Sequence, residues 1–445
     1  MPILPLSAAL LALFALGCRS ATVAPPVNTP PAGFTALFSG HDLAGWTGGT
    51  TRDFRAIEAL PADQRAKWHA AQDEGVAKHW RVDAATGDLV SDGQEPHLVT
   101  RAAYGDFEMF VDYKIQANGD SGIYLRGVPQ VQIWDPANPA EQGNGAAKGS
   151  GALWNNNGEG KFPLVKADHA PGLWNRLHIT LVGSRVWVEL NGLKTVDGAV
   201  LENYHDRKRT IPASGPIHLQ THGSEARFRN VCVRPIGAEE AGLLLTRRAE
   251  AAAGPGAFTD LFEGGLAGWQ GSTGAVDLVP GGIHWKKGGG TLFTRQKYAD
   301  FEQIMEFKLT PGGNNGLALR YPGRGGPSHT GIELQILDSD HPRYRAGGAE
   351  PIHDYQAQGA VYGFVNAQRG CQRPAGEWNH QVVRVQGTRY RVELNGFVIV
   401  DADIKGVKPL DGDAGRAGDK ALDGHFGFAG HGDEVEFRKV LIRRL

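Results

Sequence analysis

YGDFEMFVDYKI, residues 104–115, returns as YADFEQIMEFKL, residues 298–309. In both stretches apolar or aromatic side chains recur at every second position, the period of a strand with one face buried. The echo continues outward from this pair. GFTALFSGHDLAGW (33–46) matches AFTDLFEGGLAGW (257–269), and SGIYLRG (121–127) matches NGLALRY (315–321). VQIWD (131–135) matches LQILD (334–338), and RVWVELNG (185–192) matches YRVELNG (390–396). A repeat half as long as the 445-residue chain means two copies of one domain rather than a solenoid of short units. Each copy is large enough to bury its own core. Short alternating runs separated by Gly-rich turns, in a chain with 62 Gly and 10 Trp, point to all-β sandwiches. Asn191-Gly192 and Asn395-Gly396 carry the signature of type I′ hairpin turns.

The copies differ in length. Trp46 pairs with Trp269 and Phe107 with Phe301, so the first copy holds extra residues between those marks. They centre on EALPADQRAKWHAAQDEGVAKHW (58–80), the one convincingly helical stretch, which Pro61 opens and Gly75 is expected to close. The second copy gains a Gly/Pro loop, YPGRGGPSHTG (321–331). The expected domains are therefore a sandwich over 33–236, a joining stretch over 237–255 with helix-forming residues, and a second sandwich over 256–445.

Residues 1–32 read as a signal peptide and Pro-rich tether. The apolar run Ala8–Leu16 is too short to span a bilayer, and Gly17-Cys18 resembles a lipoprotein cleavage box, making Cys18 the expected lipidation site. This predicts export and a lipid anchor in a bacterial envelope, with no other contact with the membrane. A net charge of −2 with no basic run argues against a nucleic-acid partner. Cys232 and Cys371 sit at non-equivalent places, so the fold does not rest on a shared disulfide, and no zinc-type cysteine spacing occurs.

The chemistry should lie on one sheet face. In PIHLQTHG (216–223), Ile217 and Leu219 face the core, while His218, Gln220 and His222 face the other way. The second copy's GHFGFAGHG (424–432) keeps His425 and His431 on that face. The face is either a solvated surface or a row of directed hydrogen-bonding groups suited to a polyol. Strand alternation adds Tyr124 and Arg126 to it, with Arg320 in the second copy. Either Arg grips a substrate oxygen or pairs with a neighbouring carboxylate. Gln130 and Gln132 share the face, and their counterparts are Glu333 and Gln335, so a carboxylate in one copy is an amide in the other. Asp135 and Asp338 are either acid–base groups or turn formers. Trp134 and Trp154, replaced by Leu337 and Tyr362, are either sugar-stacking or core residues. His218 and His222 are about 13 Å apart along a strand, too far to share one metal ion. A divalent metal would need ligands from several strands, which the sequence leaves open, and no cofactor is required.

FTALFSGHDLAGW, YGDFEMFVDYKI, GDSGIYLRGVPQVQIWDP (119–136), LWNRLHITLVGSRVWVELNG (173–192), LENYHDR (201–207) and GPIHLQTHGSEARFRNVCVRPI (215–236) together resemble the bacterial 3-keto-disaccharide hydrolase domain. The second copy resembles it through GGNNGLALRY (312–321), GIELQILD (331–338), GAVYG (359–363), RPAGEWN (373–379) and HGDEVEFRKVLIRRL (431–445). The resemblance implies a concanavalin-like jelly-roll sandwich in each copy, in a secreted or lipid-anchored protein. It also implies chemistry on oligo- or disaccharides whose C3 hydroxyl a separate oxidoreductase has turned into a ketone. The ketone acidifies the C2 proton; a base removes it, the C1 aglycone leaves, and water adds. In the first copy this would assign His222 as base or acid, Arg126 as stabiliser of the carbonyl or enolate, and Asp135 with Gln132 as positioning or proton-transfer groups. The second copy's equivalents are His431, Arg320, Asp338 and Gln335, with Glu333 a further base. Tyr124, Gln130, His218, Gln220, Trp134, Trp154, Gln335, Tyr362 and His425 would bind substrate. The rival expectations are a non-catalytic carbohydrate-binding lipoprotein, or one catalytic and one binding copy.

Overall fold

The computed structural model describes residues 27–445, so the expected signal core, Cys18 and most of the tether lie outside the described residues. The alternation that opens the sequence makes an inner strand. Phe107, Met109, Val111, Tyr113 and Ile115 are all buried, facing Ile123, Val131, Ile133, Ile217 and Leu219 of a second sheet. The larger sheet runs in the order Leu193–Val200, Arg185–Leu190, Asn175–Val182, Phe107–Ile115, Ala226–Pro235, Leu89–Ser91, Trp80–Val82, with Thr35–Ala36 beside Ala226–Pro235. The smaller sheet runs Trp46–Gly49, His97–Thr100, His218–Leu219, Asp120–Leu125, Val128–Trp134.

The second copy repeats both sheets in the same order. Its smaller sheet is Trp269–Gly271, Gly289–Tyr298, Gly424–His431, Asn314–Tyr321, Ile332–Leu337. Each copy is thus an antiparallel jelly-roll β-sandwich of the concanavalin type. Asn191-Gly192 (φ 53° and 79°) and Asn395-Gly396 (φ 51° and 82°) have the two positive φ angles that a type I′ turn requires.

The insert folds into two helices, Phe54–Glu58 and Ala62–His79, against the edge of the smaller sheet. Gly75 does not close the helix, which runs on to His79. A Cβ on Gly75 would stand 2.6 Å from Pro96 Cδ, so the glycine marks a close approach, not an end. The stretch joining the copies contains the helix Ala238–Ala253, whose Ala241 and Leu245 pack with Val182 and Ile236. Across the copies, Ser184 Oγ donates to the Gly396 carbonyl at 2.8 Å and Arg373 donates to Asp106 at 2.7 Å. Arg185, itself buried, pairs with Glu393. Trp46 and Trp269 are core residues as their recurrence suggests. Trp174 and Trp378, which recur equally, are only half-buried; each lies beneath a guanidinium, Arg229 at 4.0 Å and Arg438 at 3.9 Å.

Candidate active site

On the outer face of the first copy's smaller sheet, alternation and register set the side chains in rows. His218 pairs with both Val99 and Tyr124, which makes the first row. Two residues along, Gly122 pairs with Gln132, and the Gln220 N–H donates to the Gly122 carbonyl at 2.9 Å, which makes the second. His222 and Asp120 stand in the third, with His222 Nδ1 3.3 Å from Asp120 Oδ2. Asp120 Oδ1 accepts from Gln132 Nε2 at 2.7 Å, and Gln130 Nε2 donates to Gln132 Oε1. Burial pushes the Asp120 carboxyl up to about 6, against the opposing pull of His222 and the Gln132 hydrogen bond.

The floor of this face is not solvated. His218 is 2% exposed, stacks on Tyr124 at 5.1 Å, and has no partner at either ring nitrogen. Burial, helped by His97, holds its pKa down to about 3, so the ring is neutral with one donor and one acceptor. His97 is buried beside it, 3.2 Å from Thr221 Oγ1 and 3.3 Å from Thr51 Oγ1, and burial lowers it to about 4. A Cβ on Gly122 would stand 2.7 Å from both Gln130 Oε1 and Gln220 Oε1. Two amide side chains therefore converge over the glycine, and both oxygens are buried without a partner. Unpartnered buried polar atoms are costly in a folded protein, and here they gather on one face of the sheet.

The second copy keeps the histidine and moves its carboxylate. Glu333 pairs with Ala318 in the first row, and its side chain passes over Gly316, where a Cβ would overlap it, to put Oε1 2.9 Å from His431 Nε2. That passage is open because Ala429 stands where the first copy has Gln220. The hydrogen bond that His431 donates to Glu333 raises the His431 pKa above its ordinary value. The position of Asp120 is Asn314, which only accepts from Gln335 Nε2 at 2.7 Å. Carboxylate and amide have thus exchanged places between the copies: Asp120 and Gln130 in one, Asn314 and Glu333 in the other. The exchange turns the imidazole round. Asp120 holds Nδ1 of His222 and leaves Nε2 free; Glu333 holds Nε2 of His431 and leaves Nδ1 free. The second site is a pocket of about 320 Å³ lined by Asn314, Glu333, Gln335, Gln356, Tyr362 and His431.

The family model described as the 3-keto-alpha-glucoside-1,2-lyase-like domain matches residues 33–234 and again 257–443. The chain belongs to that family. A curated relative from Bacteroides thetaiotaomicron, named 3-keto-disaccharide hydrolase, is 26% identical over 186 residues, which are 35% of this chain and 62% of the relative. The chain therefore aligns with less than two thirds of that relative's length. Among solved structures, a Parabacteroides distasonis protein whose glycosyl hydrolase name is itself provisional is 26% identical, with a TM-score of 0.38, over 42% of this chain and 99% of its own. A Bacillus subtilis carbohydrate-binding module is 14% identical, with a TM-score of 0.28, over 40% of this chain and 95% of its own.

Several residues expected on the lyase-like site lie elsewhere. Arg126 is fully buried, because the strand bulges between Ile123 and Leu125 and turns to φ 53° at Arg126 itself. Its guanidinium is spent on the Gly105, Gly183 and Pro212 carbonyls and on Asp106. Arg320 repeats this with Ala299, Gly387, Ala421 and Asp300. Neither Arg faces the site. Asp135 and Asp338 are turn formers: Asp135 accepts from the N–H groups of Asn118 and Ala137, and Asp338 from that of Gly312. Trp134 is buried, with its N–H on the Gly149 carbonyl, and offers no stacking surface. Trp154 is half-buried against it, edge to face at 6.0 Å. His425 packs on Phe293 at 5.2 Å, at the far end of its strand from His431.

His222, Gln132, Gln130, Gln220, His218 and Tyr124 do come together, as do His431, Glu333, Gln335 and Tyr362. The expectations omitted Asp120, His97 and Thr51. Asp120 was within reach of alternation, since it shares a face with Gly122 and Tyr124; nothing local marks His97 or Thr51. Among the described residues no group of three or more His, Cys, Asp or Glu is close enough to hold a metal ion.

Proposed function

We propose that the chain cleaves 3-keto-glycosides by elimination and hydration, with a histidine as the proton-abstracting base in each copy. The observation that carries this is the recurring histidine–carboxylate pair. His222 and His431 occupy equivalent positions and each keeps a carboxylate partner, although that partner has moved to a different strand. Fold stability does not require such a pair; a base held in one tautomer and orientation does.

In the first copy the sugar lies over Gly122, its hydroxyls donating to the unpartnered amide oxygens of Gln130 and Gln220. Asp120 fixes Nδ1–H of His222, so Nε2 takes the C2 proton. The C2–H electrons form the C1–C2 double bond as the C1–O bond breaks, and the departing oxygen takes a proton. Water then adds across the double bond. In the second copy His431 offers Nδ1 instead. A separate oxidoreductase would supply the ketone, and an exported, Cys18-anchored protein would meet such sugars at the cell envelope.

The test uses the full chain with a 4-nitrophenyl 3-keto-glucoside and its unoxidised parent. Release from the keto compound alone is expected. His222→Gln and His431→Gln should each remove one contribution, and together they should remove all of it. Saturable binding of either sugar without release from the wild type would make this a carbohydrate-binding protein instead.

A further inference from the structure

The helical insert of the first copy encloses a cavity of about 500 Å³ against the sheet edge, beside the candidate site. Phe54, Ile57 and Trp68 from the insert face Val99 and Pro216 from the sandwich, and His218 stands at its inner wall. This volume lies within the ordinary range for small-molecule sites. The second copy has neither the insert nor the cavity wall. Where the first copy has Val99, it has Phe293, whose ring packs on Tyr321 and on His425, each at 5.2 Å.

We infer that this cavity is the subsite for a planar aromatic aglycone, so that the first copy serves aryl glycosides. The inference rests on the proposed function for the sugar half of the ligand but not for the cavity itself. Three observations lead to it. First, His218 lies two residues along its strand from Gln220 and four from His222, so the cavity continues the sugar-binding face instead of opening elsewhere. At about 3.3 Å per residue, the cavity wall is one ring's breadth beyond a sugar centred over Gly122. Second, Phe54, Ile57, Trp68, Val99 and Pro216 make much of the wall apolar. Third, the inner hydroxyls are already engaged: Thr47 Oγ1 donates to Asp73 at 2.6 Å and Thr100 Oγ1 donates to the Ala102 carbonyl at 2.8 Å, while Thr50 Oγ1 accepts from the Arg52 N–H at 3.2 Å and keeps its own O–H. Two rim charges are paired as well, Arg101 with Asp73 and Glu58 with His69. Arg52 brings an exposed guanidinium to the mouth, and the free hydrogen-bonding group deep in the cavity is the buried, unpartnered imidazole of His218. A second sugar ring would bring several hydroxyls to the inner wall, where His218 is the partner on offer, and burying the rest unpaired is costly. An aromatic ring with one oxygen substituent needs a single partner.

The experiment reads binding and turnover separately in the full chain. 2-Naphthol binding is followed by Trp fluorescence, and turnover is compared for 2-naphthyl and methyl 3-keto-glucosides. Val99→Phe copies the second sandwich's residue into the cavity; Trp68→Ala removes a wall on the exposed helix and guards against misfolding in the first variant. Both should weaken naphthol binding at least tenfold. With His431→Gln silencing the second copy, both should raise KM for the naphthyl substrate by a similar factor, while kcat/KM for the methyl substrate changes less than twofold. Naphthol binding unchanged in both variants, or equal losses on the two substrates, would overturn the subsite. Naphthol binding that is lost in the variants of a protein that cleaves neither substrate would uphold the subsite and sink the proposed reaction.

Discussion

Replacing Arg126 by Met separates a structural arginine from a catalytic one. The guanidinium lies in the sandwich and donates to the carbonyls of Gly105 (2.8 Å), Gly183 (2.9 Å) and Pro212 (3.2 Å) and to Asp106 (2.7 Å). Met fills much of the space and donates nothing. The backbone contributes little to the difference, since any side chain at φ 53° bears the same left-handed strain. Nor is Asp106 orphaned, because Arg373 from the second copy and the Gly183 N–H still reach it, at 2.7 and 2.8 Å. Removing one partner of a buried pair costs about 3–5 kcal/mol, and the surviving Arg373 contact argues for the lower end. A loss of ~3 kcal/mol lowers the midpoint of a domain this size by roughly 6–12 °C. Arg320→Met should cost about half as much, because its carboxylate partner Asp300 is 37% exposed and water can replace the guanidinium there. The assay is a thermal scan of the full chain with limited proteolysis to show which sandwich opens first, and turnover measured well below the transition. Arg126→Met should melt the first sandwich early yet keep near-normal turnover when folded. A wild-type midpoint with abolished turnover would show that the guanidinium works on substrate and that the buried-clamp reasoning is wrong.

The two carboxylate partners have opposite signatures. The Asp120 carboxyl is raised from 3.8 to about 6, so ionising it costs stability as pH climbs through that window. Asp120→Asn should therefore leave the first sandwich as stable or more stable at pH 7, while its turnover falls by on the order of 10²; a stability loss would contradict the burial argument. His431 is raised by Glu333, so its contribution to stability is complete below its ordinary pKa of 6.5 and fades as pH rises through the higher folded value. Glu333→Gln should flatten that slope in the second sandwich's midpoint and move the acidic limb of its rate profile to lower pH, as a pH titration of the His222→Gln background would read. Gly122→Ala places a Cβ 2.7 Å from two amide oxygens and should raise KM at the first site more than it lowers the midpoint. The combined change Asp120→Asn, Gln130→Glu, Gln220→Ala builds the second copy's arrangement into the first; turnover should exceed that of Asp120→Asn alone, and no recovery would mean that the cleared path over Gly122 is not what lets the carboxylate reach the histidine.

The fold was legible because period two is a direct reading of burial. Every inward residue of 107–115 is core, and the hairpin turns sit where Asn-Gly places them. Alternation failed at Arg126 for a specific reason. One bulge moves a side chain to the other side of the sheet, and a bulge before Arg126 leaves no mark in SGIYLRG beyond an arginine that any exposed strand could carry. The same blindness affected Gly75, where a close packing contact and a helix end look identical in sequence. Asp135 and Asp338 read as plausible acids because a turn-forming carboxylate and a catalytic one differ only in what their oxygens accept.

The harder lesson concerns comparing two copies position by position. That comparison finds roles that stay in place, such as His222 and His431. It scores Gln130 against Glu333 as a loss and passes over Asp120 against Asn314 as a neutral change of amide for acid. Only the register shows that the two differences are one event. Residues 130 and 333 reach over a glycine from one strand, and residues 120 and 314 stand on the neighbouring strand. Residue 220, as Gln or Ala, decides whether the longer reach to the histidine is open. A carboxylate can then be lost from one strand once the other supplies it, with the histidine paired throughout. Because the partner then binds the opposite ring nitrogen, the exchange does not return the same site. It moves the unpaired nitrogen across the ring, and this accounts for two copies of one fold that keep the same histidine and build different pockets around it.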